Sequence, residues 1–542
     1  MALAEPTALA AASGDRTWRR RLPLLKLAAY AAAALAVLPI LAIVWLALSG
    51  QGAAAIPLGT IGRYALTSAV LGAMVAVGAT VAGAGAAWLV VMYRFPGRDL
   101  FAWALVLPLA APAFAVAYGY ADLLDVAGPV RTALRIWFGH EVFPLEIRSL
   151  PGAALVLTLA YYPYVYLTAR AAFITQSVCA LEAARALGAR PLEVFWRVAL
   201  PLARPALAAG AALAVMETLA DYGAVNFLGV QTLTTGVVRA WSVYGSPAAA
   251  ARLSLILLAA AAGLLWLERM NRIGQSYAAS SARWRTLVQA PLLGARGWAA
   301  FAVCALLLTL GLLLPAGWLL ARGLAVSPDL PRIGRAVAVS FGLACAGATL
   351  TVGLASLLAF GDRRGHWAKR ISSLGYATPG AVMAIGLLAP AGLIWRGMDG
   401  MGTGVLAGLT LLLLAYAARL MASALQPIEA GLERVTPSMD RAARSLGETE
   451  AGAVRRVYAP LAKGALWTAA LLVFVDVLKE LPATLILRPF DFDTLAVLAD
   501  RYAGDERLGQ AAWPALLLVA AAIGPIILLS RKVMASRPGD PG

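Results

Sequence analysis

The chain has 542 residues, 61% of them hydrophobic and 13% charged, with a mean hydropathy of +0.77. Soluble chains carry roughly 25% charged residues, so a soluble protein is excluded and an integral membrane protein remains. The net charge of +17 would suit nucleic acid, but the Lys and Arg residues fall in alternate loops between apolar runs, which excludes that partner.

At the N-terminus, Arg16, Arg19, Arg20, Arg21 and Lys26 precede an apolar run. The run is too long for a signal peptide and has no convincing cleavage site, so it reads as a retained first span. Apolar runs of about 20 residues recur along the chain, enough to cross a ~30 Å hydrocarbon core as helices. Ten-residue alternating segments, the mark of a membrane barrel, are absent. The expected fold class is therefore all-α and polytopic. About twelve spans are predicted, near 24–48, 64–92, 100–122, 152–175, 205–229, 250–268, 298–320, 336–360, 371–395, 402–425, 465–487 and 510–530.

Basic residues concentrate on one side of this arrangement: Arg94 and Arg98, then Arg185 to Arg204, Arg269 to Arg296, Arg363 to Arg370, Arg434 to Lys463, and Arg531 to Arg537. The positive-inside rule then places both termini in the cytoplasm. The opposite loops, near 122–150 and 488–509, are richer in acids and could dock a soluble partner. The polar, basic stretch 269–297 reads as a cytoplasmic linker between two six-span halves, 1–268 and 298–542, repeated in parallel.

The clearest repeat lies in two cytoplasmic loops. Glu182-Ala183-Ala184-Arg185-Ala186-Leu187-Gly188 is followed, after nine residues, by Val198-Ala199-Leu200-Pro201. Ala442-Ala443-Arg444-Ser445-Leu446-Gly447 is followed at the same interval by Val457-Tyr458-Ala459-Pro460. Both the glycines and the prolines stand 259 residues apart. Small residues allow close approach of a partner to a short helix, and Gly188 and Gly447 can end that helix in a left-handed conformation. Pro201 and Pro460 fall where the next span begins, a position that tolerates proline.

This pattern resembles the EAA loop of ATP-binding-cassette importer permeases (E-A-A-x-x-x-G, nine residues, I-x-L-P). The first copy, 182–201, departs only at Val198. The second, 441–460, has Arg441 at the glutamate position, with Val457 and Ala459 replacing isoleucine and leucine. Segments Met216 to Gly223, Lys479 to Leu485, Arg488 to Ala496 and Tyr162 to Leu167 are similar to the ferric-iron type of these permeases. The resemblance implies a bacterial inner-membrane importer subunit. Two copies of a cytoplasmic ATPase would bind the loops, and a periplasmic iron-binding protein would deliver the cargo. No Gly-x(4)-Gly-Lys-[Ser/Thr] phosphate loop occurs in the chain, so ATP would sit on the partner ATPase. No cofactor is expected on this subunit beyond contact with membrane lipid. Thiamine or a polyamine would be alternative cargoes of the same class, and an ion-gradient-driven secondary transporter is the alternative class.

Spans five and eleven follow the two loops and carry acids at equivalent positions: Glu217 matches Asp476, and Asp221 matches Glu480. Within each pair the residues are four apart, on one helical face. A charge at mid-bilayer costs roughly 2.5–3.5 kcal/mol on insertion scales. Either these acids face a hydrated path for a hard cation, or they pair with bases such as Lys479 between spans. Tyr162, Tyr164 and Tyr166 are secondary candidates, against the plainer expectation of an aromatic belt. His140 and His366 are isolated histidines, and Cys179, Cys304 and Cys345 form no metal-binding spacing.

Overall fold

The computed structural model describes residues 23–49, 56–139, 146–175, 184, 186–272, 289–361, 367–372, 375, 378–395, 404–433 and 435–535. Nearly all of them are helical. The first half comprises α1 (Pro23–Ser49), α2 (Leu58–Met92), α3 (Arg98–Ala104), α4 (Ala113–Leu124), α5 (Pro129–Phe138) and α6 (Leu150–Thr175), followed by α7 (Phe195–Ala220), α8 (Gly223–Phe227), α9 (Leu233–Ser242) and α10 (Pro247–Arg272). The second half repeats the order with α11 (Ala295–Leu324), α12 (Leu330–Gly361), α13 (Gly380–Trp395), α14 (Gly404–Leu432) and α15 (Pro437–Ser445). It ends with α16 (Val454–Lys479), α17 (Pro482–Leu487), α18 (Leu495–Gly504) and α19 (Leu508–Ala535).

Among the described residues, ten helices are long and apolar enough to cross a membrane. The other two expected spans take different forms. The third breaks into Arg98–Ala110 and Ala113–Phe138, bent by 89°. Pro108 and Pro112 lie at the break, where each lacks the N–H that would continue the ladder. The ninth is the shorter α13, which starts one residue after Pro379.

Spans five and eleven also differ in extent from the expected 205–229 and 465–487. Both begin earlier and stop earlier, at Ala220 and Lys479. Each contains a π-helical turn, Phe195–Ala199 and Val454–Tyr458, in which Leu200 N–H donates to Phe195 O and Ala459 N–H to Val454 O. Pro201 and Pro460 follow directly. Their missing N–H groups break the i→i−4 ladder, and the wider turn absorbs the lost donor.

The two sequence halves are interlocked in space. Span one, α1, packs on α12 and α13 of the second half, and Ala29, Ala33 and Ala36 join that half's core. Reciprocally, α11 packs on α4, with Tyr120 donating to Leu310 O at 2.6 Å and Trp318 Nε1 to Asp122 at 2.8 Å. The first helix of each half is thus seated on the other half. The expected 269–297 linker is shorter at both ends, because α10 runs to Arg272 and α11 starts at Ala295. Before α11 a two-residue strand, Ala290–Pro291, pairs in parallel with Tyr93–Arg94 of the first half.

Each half is built around tightly crossed helices. Gly83 of α2 lies so close to α6 that a Cβ there would sit 2.7 Å from Tyr162 O and Tyr166 N. Beyond spans five and eleven, Thr232 and Thr494 cap α9 and α18. The first amides of these helices, Leu233 N and Leu495 N, donate to Ser68 and Ser340 at 2.8 and 2.7 Å. The duplication thus extends to individual hydrogen bonds.

Candidate functional site

The two repeated loops have the same local geometry wherever they are described. Gly188 and Gly447 adopt positive φ, +84° and +77°. Ala189 N–H donates to Ala184 O and Glu448 N–H to Ala443 O, both at 3.1 Å. These six-to-one bonds across a left-handed glycine are Schellman closures, so the expected helix end is present in both copies. Glu182 and Ala183 lie outside the described residues. Ala442 is exposed, whereas Ala443 is buried against the membrane helices and Ala184 is half-buried. The small side chains of Ala184 and Ala443 therefore pack toward the protein, and the residues left facing outward include Leu187 and Leu446, 89% and 83% exposed. These leucines are 259 residues apart, each directly before its glycine.

At the far ends of α7 and α16, the four acids singled out above converge on one cavity of about 110 Å³. Its wall includes Glu217, Asp221, Asp476 and Glu480, with Tyr161, Tyr164, Arg419 and Lys479 beside them. Acids at equivalent points of the two halves thus line one cavity, although among the described residues no three of them cluster closely enough to hold a metal ion. Asp221 and Glu480 lie just past their helices rather than within them. Asp221 Oδ1 accepts from Ala224 and Val225 N–H at 3.0 and 3.2 Å, and Glu480 Oε1 accepts from Ala483 N–H at 3.1 Å. Each acid therefore stops one helix and holds the start of the next.

Beyond the caps, the halves differ. Asp221 Oδ2 accepts from the Tyr161 hydroxyl at 3.4 Å. Glu480, 4% exposed, forms a buried ion pair with Arg419 of α14. Lys479 lies 3.8 Å from Asp476 and donates to Leu109 O at 3.1 Å. The second-half acids thus line the cavity and are also paired, as one of the two expectations for them had it. Of the tyrosine candidates, only Tyr164 reaches the cavity, alongside Tyr161. Tyr162 and Tyr166 are fully buried elsewhere, with the Tyr166 hydroxyl donating to Ala102 O at 2.9 Å. Their backbones pass Gly83 where α2 and α6 cross. His140, His366 and Cys179 lie outside the described residues, Cys304 is buried in α11 and Cys345 is exposed on α12.

Arg419 is the residue that reading for acids missed. It stands in the apolar run Ala417-Ala418-Arg419-Leu420, and a lone arginine within a span signals a buried acidic partner. Gly380, the first residue of α13, makes room for the pair: a Cβ there would lie 2.1 Å from Glu480 Oε1 and 3.2 Å from Arg419 Nη1. Gly380→Ala is expected to push the carboxylate off its seat and cost about 1–3 kcal/mol. Thermal unfolding of the purified chain measures this, and an unchanged midpoint would show that the carboxylate has a second seat.

Duplicated helical halves, repeated glycine-ended loops and a polar cavity lined by both halves define a membrane transport component. The chain belongs to the family of binding-protein-dependent transport system inner membrane components, whose model matches residues 79–316 and 347–530. It is a multi-pass inner-membrane permease subunit of an ATP-binding-cassette importer. It is 27% identical over 468 residues to the Fe(3+)-transport system permease protein FbpB 2 of Haemophilus influenzae, covering 84% of this chain and 87% of that one. It is also 32% identical over 196 residues to the molybdenum transport system permease protein ModB of Escherichia coli K12, covering 34% of this chain and 84% of that one. A putative 2-aminoethylphosphonate transport system permease protein, PhnU of Salmonella paratyphi A, is 29% identical over 197 residues, 36% of this chain and 68% of that one.

Proposed function

We propose that this permease carries ferric iron from a periplasmic binding protein to the cytoplasm, with both termini on the cytoplasmic side. Two copies of a cytoplasmic ATPase would engage the loops at Leu187 and Leu446. The observation that supports this most strongly is the cavity at the ends of α7 and α16, lined by four acidic residues and three tyrosines, Tyr161, Tyr164 and Tyr222. Hard oxygen donors suit a hard trivalent cation. The helices that end there begin at the two loops, so closure of an ATPase dimer would move α7 and α16 and alternate access to the cavity. The likeness to an Fe(3+) permease over most of both chains agrees with this cargo.

A second reading is supported by Arg419 and Lys479 on the same wall and by the 2-aminoethylphosphonate named for PhnU: an oxyanion cargo held by the two bases. Uptake of radiolabelled ferric iron into proteoliposomes containing this chain, its ATPase and its binding protein separates the two. Glu217→Gln and Asp476→Asn are each expected to lower ATP-dependent iron uptake by roughly tenfold, about 1.4 kcal/mol, with the complex still assembled. Iron uptake that survives both changes would make the acids structural. Absent iron uptake, with molybdate or a phosphonate carried instead, would select the oxyanion. Failure of all three would leave thiamine or a polyamine as the cargo to test.

A further inference from the structure

The acids of the cavity follow the repeat, but the bases do not. At the position equivalent to Arg419, 259 residues earlier, the first half has Ala160. There the helix-capping acid, Asp221, is held by a phenol, Tyr161. In the second half the capping acid, Glu480, is held by a guanidinium from another span. The pair is packed closely, with Gly380 clearing its space and little of either side chain exposed, 16% for Arg419 and 4% for Glu480. Glu480 also sits at the end of α16, the helix that starts at the second loop, and its other oxygen fixes the start of α17.

We propose that Arg419 is a tethered counter-ion. It occupies Glu480 while the cavity is empty, and a polyvalent hard cation entering the cavity displaces it. This inference rests on the cationic-cargo reading above. A guanidinium and a hard cation compete for the same carboxylate oxygens, and the remaining cavity acids, Glu217, Asp221 and Asp476, favour the cation of higher charge. Displacement exchanges the partner of the residue that joins α16 to α17. Cavity occupancy is thereby coupled to the end of the helix that leaves the second loop. Among the described residues, the first half adds no base to the cavity wall, so the two halves would report occupancy unequally.

The test uses terbium(III) as a luminescent hard trivalent cation, excited through the nearby tyrosines and titrated into the purified full-length chain. Arg419→Gln removes the internal competitor and is expected to tighten terbium binding by about tenfold, because a competing occupied state lowers apparent affinity in proportion to its population. Arg419→Lys keeps the charge without the planar fork and is expected to fall between Gln and wild type. Size-exclusion profiles and thermal midpoints establish that each variant is folded. If Arg419→Gln fails that check, the Arg419→Lys titration carries the test alone. Terbium bound by the wild type, but equally or less tightly by the folded variants, overturns the counter-ion and leaves the cationic cavity standing. No saturable terbium binding by any form, with Glu217→Gln indistinguishable from wild type, overturns the cationic cavity itself, and the counter-ion with it.

Discussion

Replacing Leu187 and Leu446 together with aspartate is expected to detach the ATPase and abolish ATP-dependent uptake while the membrane fold stays intact. Both side chains are almost wholly exposed at matched points of the repeat, each followed by a glycine in the left-handed region. A Schellman turn fixes the backbone there, so the leucine is presented rigidly and little entropy is lost when a partner covers it. Burying a leucine contributes about 2 kcal/mol, and an aspartate in the same apolar contact adds a desolvation cost. Two such sites engaging a dimeric ATPase act as linked contacts, so losing both costs far more than losing one. Single substitutions are therefore expected to weaken co-purification of the ATPase in a graded way, and the double substitution to eliminate it. Exposed substitutions of this kind change stability by only about 0.5 kcal/mol, so the thermal midpoint serves as the control. A double variant that retains stoichiometric ATPase would place the contact elsewhere on the loops.

Much of this architecture can be read from the sequence, because a strict offset marks it. The 259-residue interval relates the glycines, the prolines, the four acids, the exposed leucines and the two π turns. What escaped reading was set by interactions between halves or by breaks in the backbone. Hydropathy sees an apolar run, and it registered 100–122 as one span although the run turns through 89° at Pro108 and Pro112. It also continued spans five and eleven through Asp221 and Glu480, because the residues beyond them are apolar too. The helices stop there because each acid turns its carboxylate onto the next amides, a local competition that averaging over a window cannot detect. The seating of α1 on the second half leaves no periodic trace, since any apolar face can meet any other. Arg419 was visible as a charge in a span, but its partner was a matter of geometry: Lys479 adjoins Glu480 in sequence, yet its amine lies toward Asp476 and Leu109.

That geometry leads to the second large effect, an asymmetry between the repeats. Glu480→Gln leaves the Arg419 guanidinium buried without its carboxylate, and breaking such a pair from one side costs about 3–5 kcal/mol. The neighbouring Asp476 lies in the same cavity, so the lower end of that range is expected. The equivalent change in the first half, Asp221→Asn, strands no buried cation and weakens only hydrogen bonds from Ala224, Val225 and Tyr161, an effect of about 1 kcal/mol. Replacing both Arg419 and Glu480 with leucine removes charge and counter-charge together, and much of the stability should return, as when other buried pairs give way to apolar residues. The loss will not be fully recovered, because Ala483 N–H forfeits its acceptor. Thermal or denaturant unfolding of wild type, Arg419→Leu, Glu480→Leu and the double-leucine form in lipid nanodiscs gives the coupling energy directly, expected at about 2 kcal/mol or more for groups in contact. Additive single effects at 419 and 480, or equal losses at 221 and 480, would show that the pair does not set the stability of this wall. A stable double-leucine permease that no longer transports would separate the two roles of the pair: holding the helix junction, and answering to what enters the cavity.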